Sequence, residues 1–322
     1  MKRLNCFLLI TYLLFFVCCT NDKKNNQKNN QDQVTILPIK FGGVDQRIYL
    51  PVTFNGETSD FLFDTGCSIT SIFDYSPQDT LRKIQTNLIR YRFDTIAQKY
   101  PNGSFEIGEF SNKAEFMHDI HDKVNILGMN IISNYHWFFD LDKKVVHISR
   151  KPFVRLERET MCLNYDLAED IYFTVKLPLS PEKELNMLFD TGFSLKNRSF
   201  VLFHEYDSIP SWCKTHGGLA FQRNSAPVSW LSDNLQIDKY TIEYALFAFE
   251  KDKKIIDRFK NIGFEGLFTV DFIHRYQQIY IDPSAKQIKF YGQNKEKGDS
   301  INVYLDYMKG TFMRAQQQSS LD

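Results

Sequence analysis

Apolar and polar positions along this chain alternate in short runs broken by turn residues, and few stretches hold a helical period. Residues 48–54, the dipeptide Asn55-Gly56 and residues 60–63 read as one β-hairpin with a strong turn signal. Residues 171–177, a longer loop over Pro181 and residues 185–189 read as a second. Further on, Phe105-Glu106-Ile107-Gly108-Glu109-Phe110 with a strand at 114–117 parallels Leu235-Gln236-Ile237-Asp238-Lys239-Tyr240 with a strand at 243–249. Residues 126–132 and 267–273 then match. Each is followed by an aromatic strand ending in Asp (137–142 and 279–282) and a second short strand (145–148 and 287–291). Helix is expected only in short pieces: after Gly128, after Thr269, and over 251–260, which has no counterpart in the first half.

The same elements therefore occur twice in the same order. Phe61-Leu62-Phe63-Asp64-Thr65-Gly66 recurs as Met187-Leu188-Phe189-Asp190-Thr191-Gly192, 126 residues later. A period this long means domain duplication. The expected fold class is all-β, with two homologous β-barrel-like lobes, 34–157 and 158–298, related by a pseudo-twofold axis. A tail follows at 299–322, in which 301–307 could add a strand.

The chain opens differently. Lys2 and Arg3 precede an apolar run at 4–17, closed by Cys18 and Cys19. That is the length of a signal peptide, whereas a spanning helix needs about 20 residues. Residues 20–33 carry no apolar side chain and suit a tether without a core of its own. This order matches a bacterial lipoprotein leader, with 1–18 as signal peptide, Cys19 as the lipidated residue and 19–33 as tether. Plain secretion and an uncleaved anchor are the other readings, and all three export the chain to the cell envelope or beyond.

Composition narrows the partners. Basic and acidic residues balance at 39 each, which argues against nucleic acid, since phosphate binding needs a basic surplus. Aromatics make up 15%, in keeping with strands. Outside the leader only Cys67, Cys162 and Cys213 remain, with no zinc-type spacing. A bridge between Cys162 and Cys213 is conceivable. His118 and His121 would share a helix face, but their surroundings read as strand and loop, so no metal is expected. No Gly-x-Ser-x-Gly elbow, phosphate loop or dinucleotide fingerprint occurs. Residues 251–254 read as a solvated insertion, and His216-Gly217-Gly218 as a hairpin tip.

An Asp closing an apolar strand is costly unless paired or hydrogen-bonded. One Asp-Thr-Gly tripeptide is most simply a strand-end turn. Two, each inside a matching repeat, would meet at a pseudo-twofold interface and bring two carboxylates into one site. Such carboxylates do not both ionise easily. One can then take a proton from water while the other donates to a carbonyl oxygen.

On these residues the chain resembles the pepsin and retropepsin superfamily of aspartic peptidases, in a bacterial single-chain form. The resemblance rests on Asp64-Thr65-Gly66-Cys67-Ser68, Asp190-Thr191-Gly192-Phe193-Ser194 and Ile126-Leu127-Gly128, and covers roughly residues 34–292. It implies an aspartic endopeptidase that needs no cofactor or metal and acts on a polypeptide or peptide substrate; the chain is expected to be a monomer, held to a membrane by the lipid that the leader places on Cys19. It implies Asp64 and Asp190 as the catalytic pair. Thr65, Gly66, Thr191 and Gly192 would support the turns, and a flap would lie between Tyr91 and Tyr100. The family usually carries Ala, Ser or Thr where Cys67 and Phe193 stand, and Gly where Thr269 stands. An impaired, peptide-binding envelope lipoprotein is the rival expectation, and a structural envelope lipoprotein a third.

Overall fold

The computed structural model describes residues 33–43, 46–73, 88–91, 95–119, 123–154, 157–180, 183–195, 198–203, 219–221, 229–250, 252–294 and 310. The first half contributes β1 (Val34–Pro38), β2 (Lys40–Phe41), β3 (Ile48–Phe54), β4 (Glu57–Phe63), β5 (Thr70–Phe73) and β6 (Leu88–Tyr91). It continues with β7 (Thr95–Ile107), β8 (Phe110–Asp119), β9 (Asn125–Leu127), α1 (Met129–Ile132), β10 (His136–Asp140) and β11 (Val145–Ser149). The second half contributes β12 (Met161–Ala168), β13 (Tyr172–Ser180), β14 (Lys183–Phe189), β15 (Phe200–Phe203), β16 (Leu219–Phe221) and β17 (Ser229–Ile237). Then come β18 (Tyr240–Glu250), α2 (Lys253–Asn261), β19 (Gly266–Phe268), α3 (Val270–Ile273), β20 (Tyr276–Asp282) and β21 (Gln287–Gln293). The chain is all-β in class, as the alternating pattern implied.

Local chemistry explains the turns. The β3–β4 hairpin closes on Asn55 and Gly56, at φ +48° and +91°, in the left-handed region the turn demands. The β7–β8 and β17–β18 hairpins turn on Gly108 and Asp238, at φ +57° and +53°. Along β3 burial alternates, whereas the last three residues of β4 are all buried. They have neighbours on both sides, because β4 pairs with β3 antiparallel and with β9 parallel.

Strands β3-β4-β9-β5-β8-β7 form a barrel, closed by Thr53↔Glu106 and Phe54↔Phe105 between β3 and β7. Phe54 sits inside it with ring centroids 4.9 Å from both Phe105 and Phe116. The second half pairs in the same order, β13-β14-β19-β15-β18-β17, with β16 beyond. The order β1-β11-β10-β20-β21-β12 sets three strands of the first half beside three of the second. Its seam is the antiparallel pair β10–β20, in register Phe138↔Tyr280 and Asp140↔Gln278. One apolar cluster runs through the whole, from Ile48 and Phe63 to Phe189 and Phe290.

Smaller clusters lie outside it, among them Phe138, Tyr280 and Tyr291 at the seam and two beside the Asp-Thr-Gly turns. Leu62, Cys67, Met117 and Ile126 form one. Leu188, Val201, Ala248, Leu267, Ile256 and Phe264 form the other, with Phe193 and Phe259 against it. Helix α2 covers this last cluster with Ile255, Ile256 and Phe259. Asp252 starts the helix by accepting from the Lys254 N–H at 2.9 Å.

Some boundaries differ from expectation. The second hairpin is longer than 171–177 with 185–189, because β13 and β14 keep pairing to Ser180↔Lys183 across a bulge after Pro178. The aromatic strand of the first half ends at Asp140, not Asp142. Asp140 accepts the Lys143 N–H at 3.0 Å, just as Asp282 accepts that of Ala285 at 3.0 Å. The helix expected at 251–260 runs from Lys253 to Asn261. His118 lies in strand β8. Cys162 is a free thiol, so it forms no bridge to Cys213. The leader with Cys19, most of the tether, His121, residues 216–218 and 301–307, and the centre of the expected flap lie outside the described residues. Among the described residues no helix is long and apolar enough to cross a membrane.

Candidate active site

Asp64 follows the last residue of β4, and Asp190 follows the last residue of β14. Each turn hangs from the short strand paired parallel to its own. The Asp64 N–H donates to Leu127 O at 3.1 Å, and the Asp190 N–H to Phe268 O at 3.0 Å. Each carboxylate closes its turn, Asp64 Oδ1 accepting from the Gly66 N–H at 2.8 Å and Asp190 Oδ1 from the Gly192 N–H at 2.9 Å. This is the local Asx turn that a single copy already suggested.

The two turns then lock into one another. The Thr65 N–H donates to Thr191 Oγ1 and the Thr191 N–H to Thr65 Oγ1, both at 3.1 Å. Each hydroxyl passes its own proton across: Thr65 Oγ1 to Phe189 O at 2.5 Å, Thr191 Oγ1 to Phe63 O at 2.6 Å. All four bonds are buried, with Thr65 0% and Thr191 1% exposed.

The glycines complete the arrangement. A Cβ on Gly66 would lie 2.4 Å from Asp190 Cγ, and one on Gly192 would lie 2.2 Å from Asp64 Cγ. Each carboxylate thus rests against the glycine of the other turn, in space that any side chain would occupy. Asp64 is 0% and Asp190 5% exposed. The six motif residues named from sequence, Asp64, Thr65, Gly66, Asp190, Thr191 and Gly192, are brought together in one place.

Support from below was not foreseen. Thr70 gives its N–H and its hydroxyl to Asn130 Oδ1, both at 2.9 Å. In the second half Asp271 Oδ2 accepts from Ser194 Oγ at 3.0 Å and from the Leu195 N–H at 3.1 Å. Asn130 and Asp271 hold the same place, two residues past Gly128 and Thr269. The signal was present: aligned, the two elements each carry one short polar side chain at that point of an apolar run.

The departures from the family pattern have local reasons. Gly128 and Thr269 share nearly the same extended backbone, φ/ψ of −98°/177° and −95°/169°. Glycine at 128 serves close approach, since a Cβ there would be 2.7 Å from the backbone of Ile69. At 269 the side chain has a use: its hydroxyl donates to Arg198 O at 2.5 Å and accepts from the Asp271 N–H at 3.2 Å. Cys67 Sγ donates to Ile69 O at 3.0 Å, and Phe193 packs on the apolar layer under α2. From the second half, Tyr172 reaches Ser68 beside the first turn; burial pushes its phenol above the ordinary value, against that hydrogen bond.

Among the described residues no group of His, Cys, Asp or Glu is placed to hold a metal ion. A comparison with profiles of known protein families finds no match, and a comparison with curated proteins finds none at a significant level.

Proposed function

We propose that the chain is an aspartic endopeptidase with two β-barrel lobes about an approximate twofold axis, in which Asp64 and Asp190 jointly activate water. The observation that carries this reading is the reciprocal seating of the two turns. Each threonine bonds across to the other turn, and each carboxylate lies on the opposite glycine. A pair of strand-end turns with only a structural role has no need to keep each glycine bare so that the carboxylate of the other turn can lie on it.

In the proposed mechanism one carboxyl of the pair is protonated and the other ionised, the division of roles that aspartic peptidases use. With one proton shared, the ionised member takes a proton from water. The water oxygen attacks the peptide carbonyl, and the protonated member stabilises the developing oxyanion. Proton transfer to the leaving amine then releases both products. Only Asp64 and Asp190 move protons; the threonines and glycines hold them in place.

By its leader, the protein is exported and held in the cell envelope through a lipid on Cys19. Asp64→Asn and Asp190→Asn should each reduce hydrolysis of a denatured-protein or peptide library by at least a thousandfold, roughly what loss of an acid–base group costs, with circular dichroism unchanged. Full activity in either variant sinks the mechanism.

A second reading keeps the fold and peptide binding but not the cutting. It is favoured by Cys67 and Phe193, whose side chains engage Ile69 O and the apolar layer. It predicts peptide binding without cleavage from about pH 3 to 8, and no response to a statine-type transition-state mimic.

A further inference from the structure

The link between each Asp-Thr-Gly turn and the next strand differs between the halves. Residues 67–69 join Gly66 to β5, whereas residues 193–199 join Gly192 to β15. The longer link carries Arg198, a half-buried arginine. Its Nη1 donates to Leu195 O at 3.0 Å and its Nε to Ser229 Oγ at 3.3 Å. Both acceptors are neutral. The carboxylate that belongs to this region, Asp271, takes Ser194 and Leu195 instead. No ion pair joins Arg198 to any described carboxylate.

Ser229 opens β17, where it pairs with Phe221 of β16. Arg198 thus bridges the segment leaving the second turn and the root of the hairpin that follows it. A latch of this kind needs only a donor; a neutral Gln would serve. Half-burying an uncompensated cation costs free energy. A guanidinium with two donors committed keeps three more, in a fork suited to a carboxylate.

We infer that Arg198 is a specificity-determining residue that selects peptides carrying an acidic side chain on the side of the second Asp-Thr-Gly turn. The inference rests on the peptide-binding reading above but not on cleavage.

The test uses the full chain with Asp64→Asn, so that bound peptides survive, and fluorescence anisotropy with peptide pairs differing only in Glu or Gln. The Glu member should bind about tenfold tighter, the scale of one charge-assisted hydrogen bond, and high salt should narrow the gap. Adding Arg198→Gln should abolish the preference, Arg198→Lys should keep part of it, and Arg198→Glu should shift it to Lys-bearing peptides. A latch without a recognition role would not follow charge in this way. Equal binding of both members, or a Glu preference that survives Arg198→Gln, overturns the inference. If the unmodified chain binds with the Glu preference but never cuts, only the peptidase reading falls. If it cuts without the preference, only this inference falls. If no peptide binds, both fall.

Discussion

Thr65 and Thr191 each donate and accept across the space between the turns, so neither can be removed without stranding partners on the other. Valine keeps the shape and deletes the hydroxyl. Thr65→Val should therefore cost about 1–3 kcal/mol in urea unfolding, and Thr191→Val the same, because each leaves a buried carbonyl and N–H unpaired. The two substitutions break different bonds of the four, but the hydroxyls also touch each other at 3.5 Å, so in the double variant the losses should not simply add. Strict additivity would mean that the threonines do not act as one unit. The motif residues themselves were legible in the sequence, because Asp-Thr-Gly twice at the end of an apolar strand has few explanations. Asn130 and Asp271 were not, since a lone polar residue in a four-residue helix has many possible uses. Nor was the fate of Thr269, because a glycine kept for close approach and one kept for backbone freedom look alike in sequence.

At the scale of elements, the seam between β10 and β20 carries two cross-strand polar pairs. Gln278 Nε2 donates to Asp140 Oδ2 at 3.1 Å at one end, and His136 Nδ1 lies 3.4 Å from Asp282 Oδ1 at the other. Burial holds the His136 imidazole below its ordinary value, against the opposing charge of Asp282. Burial pushes Asp282 up, but Ser284, the Ala285 N–H and the charges of His136 and Lys289 outweigh it and hold the carboxyl low. Tyr280 also faces the ring, its hydroxyl 3.0 Å from His136 Nδ1. A base whose folded value is depressed binds protons more readily when unfolded. Its contribution is complete above the ordinary value of 6.5 and declines as pH falls below it. The Asp282 contribution is lost only as pH falls below 3.8. His136→Gln, copying the chemistry of the Gln278 end, should flatten the loss of thermal stability as pH falls below 6.5. An unchanged pH profile would show that His136 is not its source. Hairpins and short helices were readable at this scale from turn dipeptides and strict alternation. The parallel pairs β4–β9 and β14–β19 were not, because partners more than 60 positions apart leave no local trace.

For the whole molecule, residues from Val34 onward form one compact unit, and its main apolar cluster draws on both halves. Heating should therefore give one cooperative calorimetric transition, its van't Hoff and calorimetric enthalpies agreeing, rather than two independent meltings. Two resolved peaks would show that the halves stand alone. The repeat announced how often the elements occur, but not how they would join. That depends on the register of β10 against β20 and on four bonds that no single half contains. The partner that fixes Thr65 is 126 positions downstream. A chain still being synthesised, or still passing through a membrane with its second half held back, has one aspartate turn and nothing to seat it against. On the proposed reading, such a chain is an unarmed protease: it cannot damage itself or the machinery that handles it, and it acquires its cutting edge only when folding is complete.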